Sequence, residues 1–197
     1  MTGGRTQVPN VRFAPDPRRP YIGRARGFGP DGPLFLKRYD LSAWSGTRVW
    51  RDRLGARCAL IEQVTGGRTR FRLDGDLLFR VSRPAGGLTD TGRDRAISPA
   101  ALAALTGTLE TAHATGLCHG DVTRRNLIAG ESGADLFDWE PILVAPGPAP
   151  ATDPAPDRIT DPTRWLGGCD LIGLVDPAAP VADLDLIGLQ LMAEGRA

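Results

Sequence analysis

At 197 residues, 41% hydrophobic and 24% charged, the chain can bury a core as one domain or two small lobes, which excludes a disordered or fibrous protein. No apolar run nears the roughly 20 residues of a membrane helix, residues 1–10 lack the apolar core of a signal peptide, and three cysteines (Cys58, Cys118, Cys169) without a CxxC pair argue against a disulfide framework. The net charge of +1 hides a division: 19 basic against 9 acidic residues over 1–98, then 5 against 14 over 99–197.

Residues 1–20 are rich in Pro and Arg and read as an N-terminal extension with a short strand at 11–14. YIGRARGFG at 21–29 reads as a strand entering a glycine-rich turn, Asp31-Gly32-Pro33 as a turn, and LFLKRY at 34–39 as a half-buried strand. An amphipathic helix is expected from 41 to about 54, with Trp44, Val49 and Trp50 as its apolar residues. Strand-like runs follow at 59–64, 68–73 and 76–81, and Pro84-Ala85-Gly86-Gly87 breaks the pattern. Ser98-Pro99 opens the clearest helix, with Ser98 as N-cap and Pro99 at the first position, and Gly116 stops it. A hairpin around 129–134 follows, then an irregular Pro- and Ala-rich segment at 141–162 and a short helix at 184–193. Strands with one helix, then helices with one hairpin, read as α+β in two unequal parts.

The chemistry concentrates in LCHGDVTRRNLIAGESGADLFDWE at 117–140, which sets Asp121, Asn126 and Asp138 within 18 residues. Phosphoryl transfer needs a carboxylate that orients or deprotonates the attacking hydroxyl, and hard oxygen ligands for Mg²⁺ on the β- and γ-phosphates. His119-Gly120-Asp121-x-x-x-x-Asn126 followed by Asp138-Trp139-Glu140 resembles the catalytic loop and metal-binding motif of the protein-kinase-like phosphotransferases. The HGD form with DWE looks most like the aminoglycoside and choline kinase branch, and Thr123 within HGDxT is similar to small atypical kinases of the RIO type. The resemblance implies a bilobal fold, with a small antiparallel-sheet N-lobe over 21–83 and a truncated, mainly helical C-lobe over 84–197 that carries 141–162 as an activation-type segment. It implies ATP and Mg²⁺ as cofactors, Asp121 as catalytic base, His119 as organiser of the loop, and Asn126 and Asp138 as metal ligands.

Within that frame Lys37, the only lysine of the chain, lies on the 34–39 strand, where the family's lysine contacts the α- and β-phosphates. A lysine on the solvent face of an edge strand is the alternative. The acid that pairs with this lysine is absent from its expected place, and Asp52, 15 residues on, or Glu62 would substitute. Gly27 and Gly29 are the implied phosphate-covering glycines, with Arg24 and Arg26 supplying charge if that loop is degenerate. Asp183-x-x-x-x-Gly188 resembles the helix whose leading Asp holds the catalytic loop's backbone, or is an ordinary N-cap. His113 and Cys118 read as packing residues, whereas Arg124 and Arg125 read equally as phosphate-facing or as solvated surface.

The 59 residues after Asp138 leave room for about one helix beyond the Pro-rich segment. A protein Ser, Thr or Tyr is therefore the expected acceptor, ahead of an enclosed small-molecule alcohol. A pseudokinase scaffold and a nucleic-acid binder are the remaining classes, the latter disfavoured by scattered arginines and a 6% aromatic share. A cytosolic location, or export without a cleaved signal, is expected, with no membrane partner; the oligomeric state stays open.

Overall fold

The computed structural model describes residues 11–30, 32–44, 46–85, 97–130, 133–147, 152–167, 171–176 and 178–196. Asp31, Gly86, Gly87 and Cys169, and residues 1–10 of the expected N-terminal extension, lie outside the described residues. The fold is α+β. Five antiparallel strands, β1 (Ala14–Asp16), β2 (Arg19–Gly29), β3 (Gly32–Asp40), β4 (Thr69–Asp74) and β5 (Leu77–Ser82), form one sheet in the order β1-β2-β3-β5-β4. The helix α1 (Arg48–Val64) connects β3 to β4. After the sheet come α2 (Pro99–Ala114), the hairpin β6 (Leu127–Gly130) and β7 (Gly133–Leu136), and α3 (Val181–Ala193). No described helix is long and apolar enough to cross a membrane.

Local chemistry explains most of these boundaries. Ser98 caps α2 by accepting from the Ala101 amide at 3.1 Å, Pro99 occupies the first turn, and Gly116 leaves the helix at φ +79°. Alternation along β5 buries Leu78, Arg80 and Ser82 on one face. The expected strand at 11–14 forms later, at Ala14–Asp16.

The main departure from the sequence reading is α1. Residues 59–64, expected as a strand, form its last third, and the expected start at 41 is a separate single turn, Leu41–Trp44. Thr47 is the true N-cap, accepting from the Trp50 amide at 3.3 Å. Gly55 looks like a stop but is exposed, with open space around it, so the helix runs through it at a cost of about 0.5–1 kcal/mol. Trp50, Leu54, Arg57, Cys58 and Ile61 form one buried stripe at helical spacing, which offsets that cost. Val49, expected on the apolar side, is 59% exposed.

Three apolar clusters tie the elements together. Ile22, Tyr39 and Leu78 from the sheet pack against Trp50, Leu54 and Cys58 of α1, and Ile142 and Leu166 join them from the C-terminal half. Ile61 at the end of α1 meets Leu105 and Leu109 of α2, Leu127 and Leu136 of the hairpin, Trp139 and Met192. Leu143, Ile159, Trp165, Leu171, Val181 and Leu184 make the third, which gives the irregular 141–162 segment its anchors.

Helix α3 sits directly beneath the loop at 119–126. A Cβ on Gly188 would collide with the Val122 carbonyl oxygen and stand 3.0 Å from the Val122 Cβ. Both obstacles belong to well-packed backbone and a β-branched side chain, so neither can yield cheaply. Gly188→Ala is expected to destabilise the protein by about 2–3 kcal/mol in urea unfolding. An unchanged midpoint would show that α3 and the loop are not in register as described.

Candidate functional site

Residues two apart on a strand share a face, and directly opposed residues of an antiparallel pair share it too. Lys37 and Tyr39 of β3 therefore face the same way as Arg80 of β5, which stands opposite Lys37. All three are buried. Facing them is the segment that leaves β7, Phe137-Asp138-Trp139-Glu140. Lys37 Nζ donates to Asp138 Oδ2 at 2.6 Å and also to Glu140 Oε1. Arg80 donates to Asp138 Oδ1 and, at 2.8 Å, to the Trp139 carbonyl. The Tyr39 hydroxyl donates to the second Glu140 oxygen, Oε2. Phe35, on the same face of β3, meets the Phe137 ring at 5.6 Å.

The result is two cations and two carboxylates in a largely water-free space. Burial alone pushes the Asp138 carboxyl up, but Lys37 and Arg80 outweigh burial and hold it well below the usual carboxylate range. Burial likewise raises the Tyr39 phenol well above its ordinary value, so it remains a donor. A buried ionic network stabilises less than apolar packing of the same volume would. A network of perturbed charges of this kind makes the place a candidate functional site. Asp138 also adopts φ +67°, a left-handed conformation for a non-glycine residue, of the kind that clusters at functional sites.

The loop at 119–126 is tied to the same segment. The Asp121 amide donates to His119 Nδ1 at 3.2 Å, so Nδ1 is the acceptor nitrogen and Nε2 carries the proton that goes to the Phe137 carbonyl at 3.0 Å. The His119 ring is fully buried against Trp139 at 4.6 Å. The Phe137 amide returns a bond to the Asn126 carbonyl at 2.9 Å. Asn126 Nδ2 donates to Asp121 Oδ2 at 2.8 Å and to the Asp121 carbonyl at 2.9 Å. With its nitrogen so directed, the Asn126 side chain keeps its carbonyl oxygen as the end that would meet a metal. Asp121, Asn126 and Asp138 thus belong to one hydrogen-bonded unit, with His119 at its centre.

Beneath that unit the support comes from α3, through a residue other than the one expected. Asp185, not Asp183, accepts from the His119 and Gly120 amides, both at 2.7 Å. Asp183 is exposed in the first turn of α3, whereas Asp185, two positions on, points into the core and is fully buried. His113 Nε2 lies 3.0 Å from the same carboxylate, and Cys118 stands beside them. Asp185 is already committed to the loop amides, and burial pushes the Cys118 thiol up to about 12. These side chains are packing and positioning groups.

Two expected positions need correction. Asp52 does not pair with Lys37: it lies on the exposed side of α1, 3.9 Å from Arg48, two residues and so about 200° round the helix from the buried Trp50. Glu62 fastens α1 to β4 instead, accepting from the Phe71 amide at 2.8 Å and from Arg70 at 3.0 Å. The acid partner is Glu140, and the helix sends a cation in place of an acid. Arg57 donates to the Glu140 carbonyl at 3.0 Å and to the Cys118 carbonyl at 2.8 Å, bridging the 137–140 segment and the start of the 119–126 loop. Burial pulls its guanidinium down to about 10, still charged at neutral pH. Arg57→Met is expected to cost about 2 kcal/mol in unfolding experiments, because the two carbonyls lose a charged donor. A cost near zero would mean water replaces the guanidinium without penalty.

Gly27 and Gly29 also differ from expectation. They belong to β2, opposite Leu34 and Gly32 beside the β2–β3 turn, and the residue opposite Lys37 is Arg24. Gly29 is five residues along the strand from Arg24, about 17 Å away. These glycines shape a hairpin tip rather than a loop over Lys37.

In kind, the Asn126 carbonyl oxygen and the Asp138 carboxylate are oxygen donors that could hold a hard divalent cation, although both Asp138 oxygens here accept from Lys37 and Arg80. Two buried polar atoms, Arg80 Nε in this network and Thr123 Oγ1 in the 119–126 loop, find no partner among the described residues. Such atoms call for a ligand or water. Arg80, Tyr39, Arg57 and Asp185 were not singled out by the sequence, and Glu140 entered only as the last residue of the DWE motif. The alternation along β5, which puts an arginine on the buried face, is the signal that could have found Arg80.

A scan against protein-family models finds no match, and no curated protein matches the chain either.

Proposed function

We propose that the protein is an ATP- and Mg²⁺-dependent phosphotransferase of the bilobal protein-kinase-like type, passing the γ-phosphoryl group to a hydroxyl, with a protein Ser, Thr or Tyr as the first acceptor class. The observation that carries this reading is the meeting of Lys37 with Asp138 at 2.6 Å across 101 residues of chain, beside the Asp121–Asn126 pair. Nothing in strand or hairpin formation requires a strand lysine and a post-hairpin aspartate to converge. Phosphoryl transfer requires a cation for the phosphates and a carboxylate for the metal at one place. The strand order and the helix between β3 and β4 accord with a small N-terminal lobe above a helical part.

In this reading the Asp121 carboxylate orients the acceptor hydroxyl and takes its proton as the oxygen bonds to the γ-phosphorus. The bond from that phosphorus to the bridging oxygen breaks, and ADP leaves. Mg²⁺, held by the Asn126 carbonyl oxygen and Asp138, would neutralise charge on the β- and γ-phosphates. Lys37 supplies a positive charge to the same phosphates. His119 and Asp185 hold the loop so that no reorganisation is needed during transfer.

The test is the thermal midpoint of the full chain with ATP, with and without Mg²⁺, beside Asp138→Ala, each compared with its own ligand-free sample. At 100 times the dissociation constant the ligand adds about 2.7 kcal/mol, which for a chain of this size raises the midpoint by about 5–10 °C. A Mg²⁺-dependent rise in the wild type that disappears in the variant is expected. No rise in the wild type sinks the nucleotide reading.

A small-molecule alcohol is the second acceptor class, and one observation favours it: Glu140, the third residue of the DWE tripeptide that resembles the aminoglycoside and choline kinases, is the carboxylate engaged by Lys37. Mass spectrometry of acceptor panels separates the two, since phosphate on an aminoglycoside or choline-like alcohol and on no protein reverses the order.

A further inference from the structure

The proposed nucleotide site has no glycine loop above Lys37 among the described residues, so the phosphates need another source of positive charge. The sheet register supplies it. Arg24 of β2 stands opposite Lys37 of β3, and Lys37 opposite Arg80 of β5, which places three basic side chains in one line on one face. Adjacent like charges across strands repel, so a row of three persists only with anions to hold it. Each cation has one: Asp16 lies 2.9 Å from Arg24, Asp138 2.6 Å from Lys37, and Asp138 also receives Arg80. Glu140 adds a second acceptor beside Lys37 and Arg80.

The row is also graded. Side-chain exposure rises from 1% at Arg80 through 8% at Lys37 to 55% at Arg24. A row of evenly placed cations running from core to solvent matches a linear polyanion that enters by one end. Arg80 Nε, deep in the row, has no partner among the described residues.

We infer that the phosphate chain of the nucleotide is held by the side chains of Arg24, Lys37 and Arg80 in place of the backbone amides of a glycine loop, with Arg24 as the outermost contact. The inference rests on the phosphotransferase reading and specifies how that site takes its substrate. Guanidinium forks pair with phosphate oxygens as they pair with carboxylates. Binding is therefore an exchange: phosphate replaces Asp138 on Lys37 and Arg80, and replaces Asp16 on Arg24. Asp138, released by its two cations, becomes available to the metal, so phosphate and metal bind together.

The experiment titrates the full chain with inorganic tripolyphosphate and with ATP by calorimetry at two salt concentrations. Arg24→Gln, at an exposed position, is expected to weaken both ligands about tenfold and to flatten the salt dependence, with Arg24→Lys recovering part of the loss. Asp16→Asn, which removes the competing carboxylate, is expected to shift affinity the other way. Opposite effects of the two variants distinguish a binding role from a merely structural ion pair, for which both would leave affinity unchanged. Wild type binding ATP with Arg24→Gln unaltered overturns the row and leaves the phosphotransferase reading standing. Binding of ATP without tripolyphosphate likewise overturns the row, because affinity then resides in the nucleoside. Failure of the wild type to bind either ligand removes both.

Discussion

Asp121→Asn is expected to lower phosphoryl transfer at saturating ATP and Mg²⁺ by about 10³-fold while leaving ATP affinity within about twofold. The substitution keeps the side chain's shape: the new amide oxygen can still accept from Asn126 Nδ2, now 2.8 Å from Asp121 Oδ2, and the backbone bond to His119 is untouched. What disappears is the negative charge that, in the proposed mechanism, receives the acceptor proton. Single-turnover transfer from ATP labelled at the γ-phosphate, alongside an equilibrium binding measurement, separates the two effects. A variant that transfers at the wild-type rate would remove Asp121 from the chemistry. A variant that loses ATP affinity in proportion would make it a binding residue instead.

Asp185→Ala is expected to have the largest effect on stability, about 3–5 kcal/mol, or roughly 10 °C in the thermal midpoint of a chain of this size. The carboxylate is fully buried and accepts from the His119 and Gly120 amides while His113 stands at 3.0 Å. Removing it strands two buried amide donors at once. Asp185→Asn is expected to be nearly as damaging, since its NH₂ group would face one of those amides. Circular dichroism melts check both variants. If Asp185→Ala melts with the wild type, the loop is held by His119 and the Phe137 carbonyl, and α3 is dispensable to it.

Much of the local structure was legible because local signals and tertiary demands agree. Ser98-Pro99 is a sufficient helix start, and alternation in the β3 and β5 runs reflects one buried face. At α1 the two disagree. The apolar run at 59–64 reads as a strand, but a buried stripe from Trp50 to Ile61 carries the helix through the exposed Gly55 and on to Val64.

The site divides in the same way. Asp121, Asn126, His119 and Asp138 are brought together as the spacing of 117–140 suggested, because a short loop and a tight hairpin leave the chain few other paths. Sequence spacing offers Asp52 or Glu62 as the acid for Lys37. The structure pairs Lys37 with Asp138 and with Glu140, 103 residues away, while the helix contributes Arg57.

By itself the sequence determined the α+β class, the Ser98 cap and Gly116 stop of α2, and the short-range cluster at 117–140, since those depend on neighbours within one turn or one hairpin. Only the tertiary structure decided which acid meets Lys37, which aspartate of α3 points inward, and that Arg24, Lys37 and Arg80 share a line. Those outcomes depend on strand register and on the rotation of helices against the sheet. Both are set by how distant apolar faces pack: a one-residue slip in strand register would send Arg24, Lys37 or Arg80 to the other face, and two residues along α3 carry an aspartate from the core side to solvent.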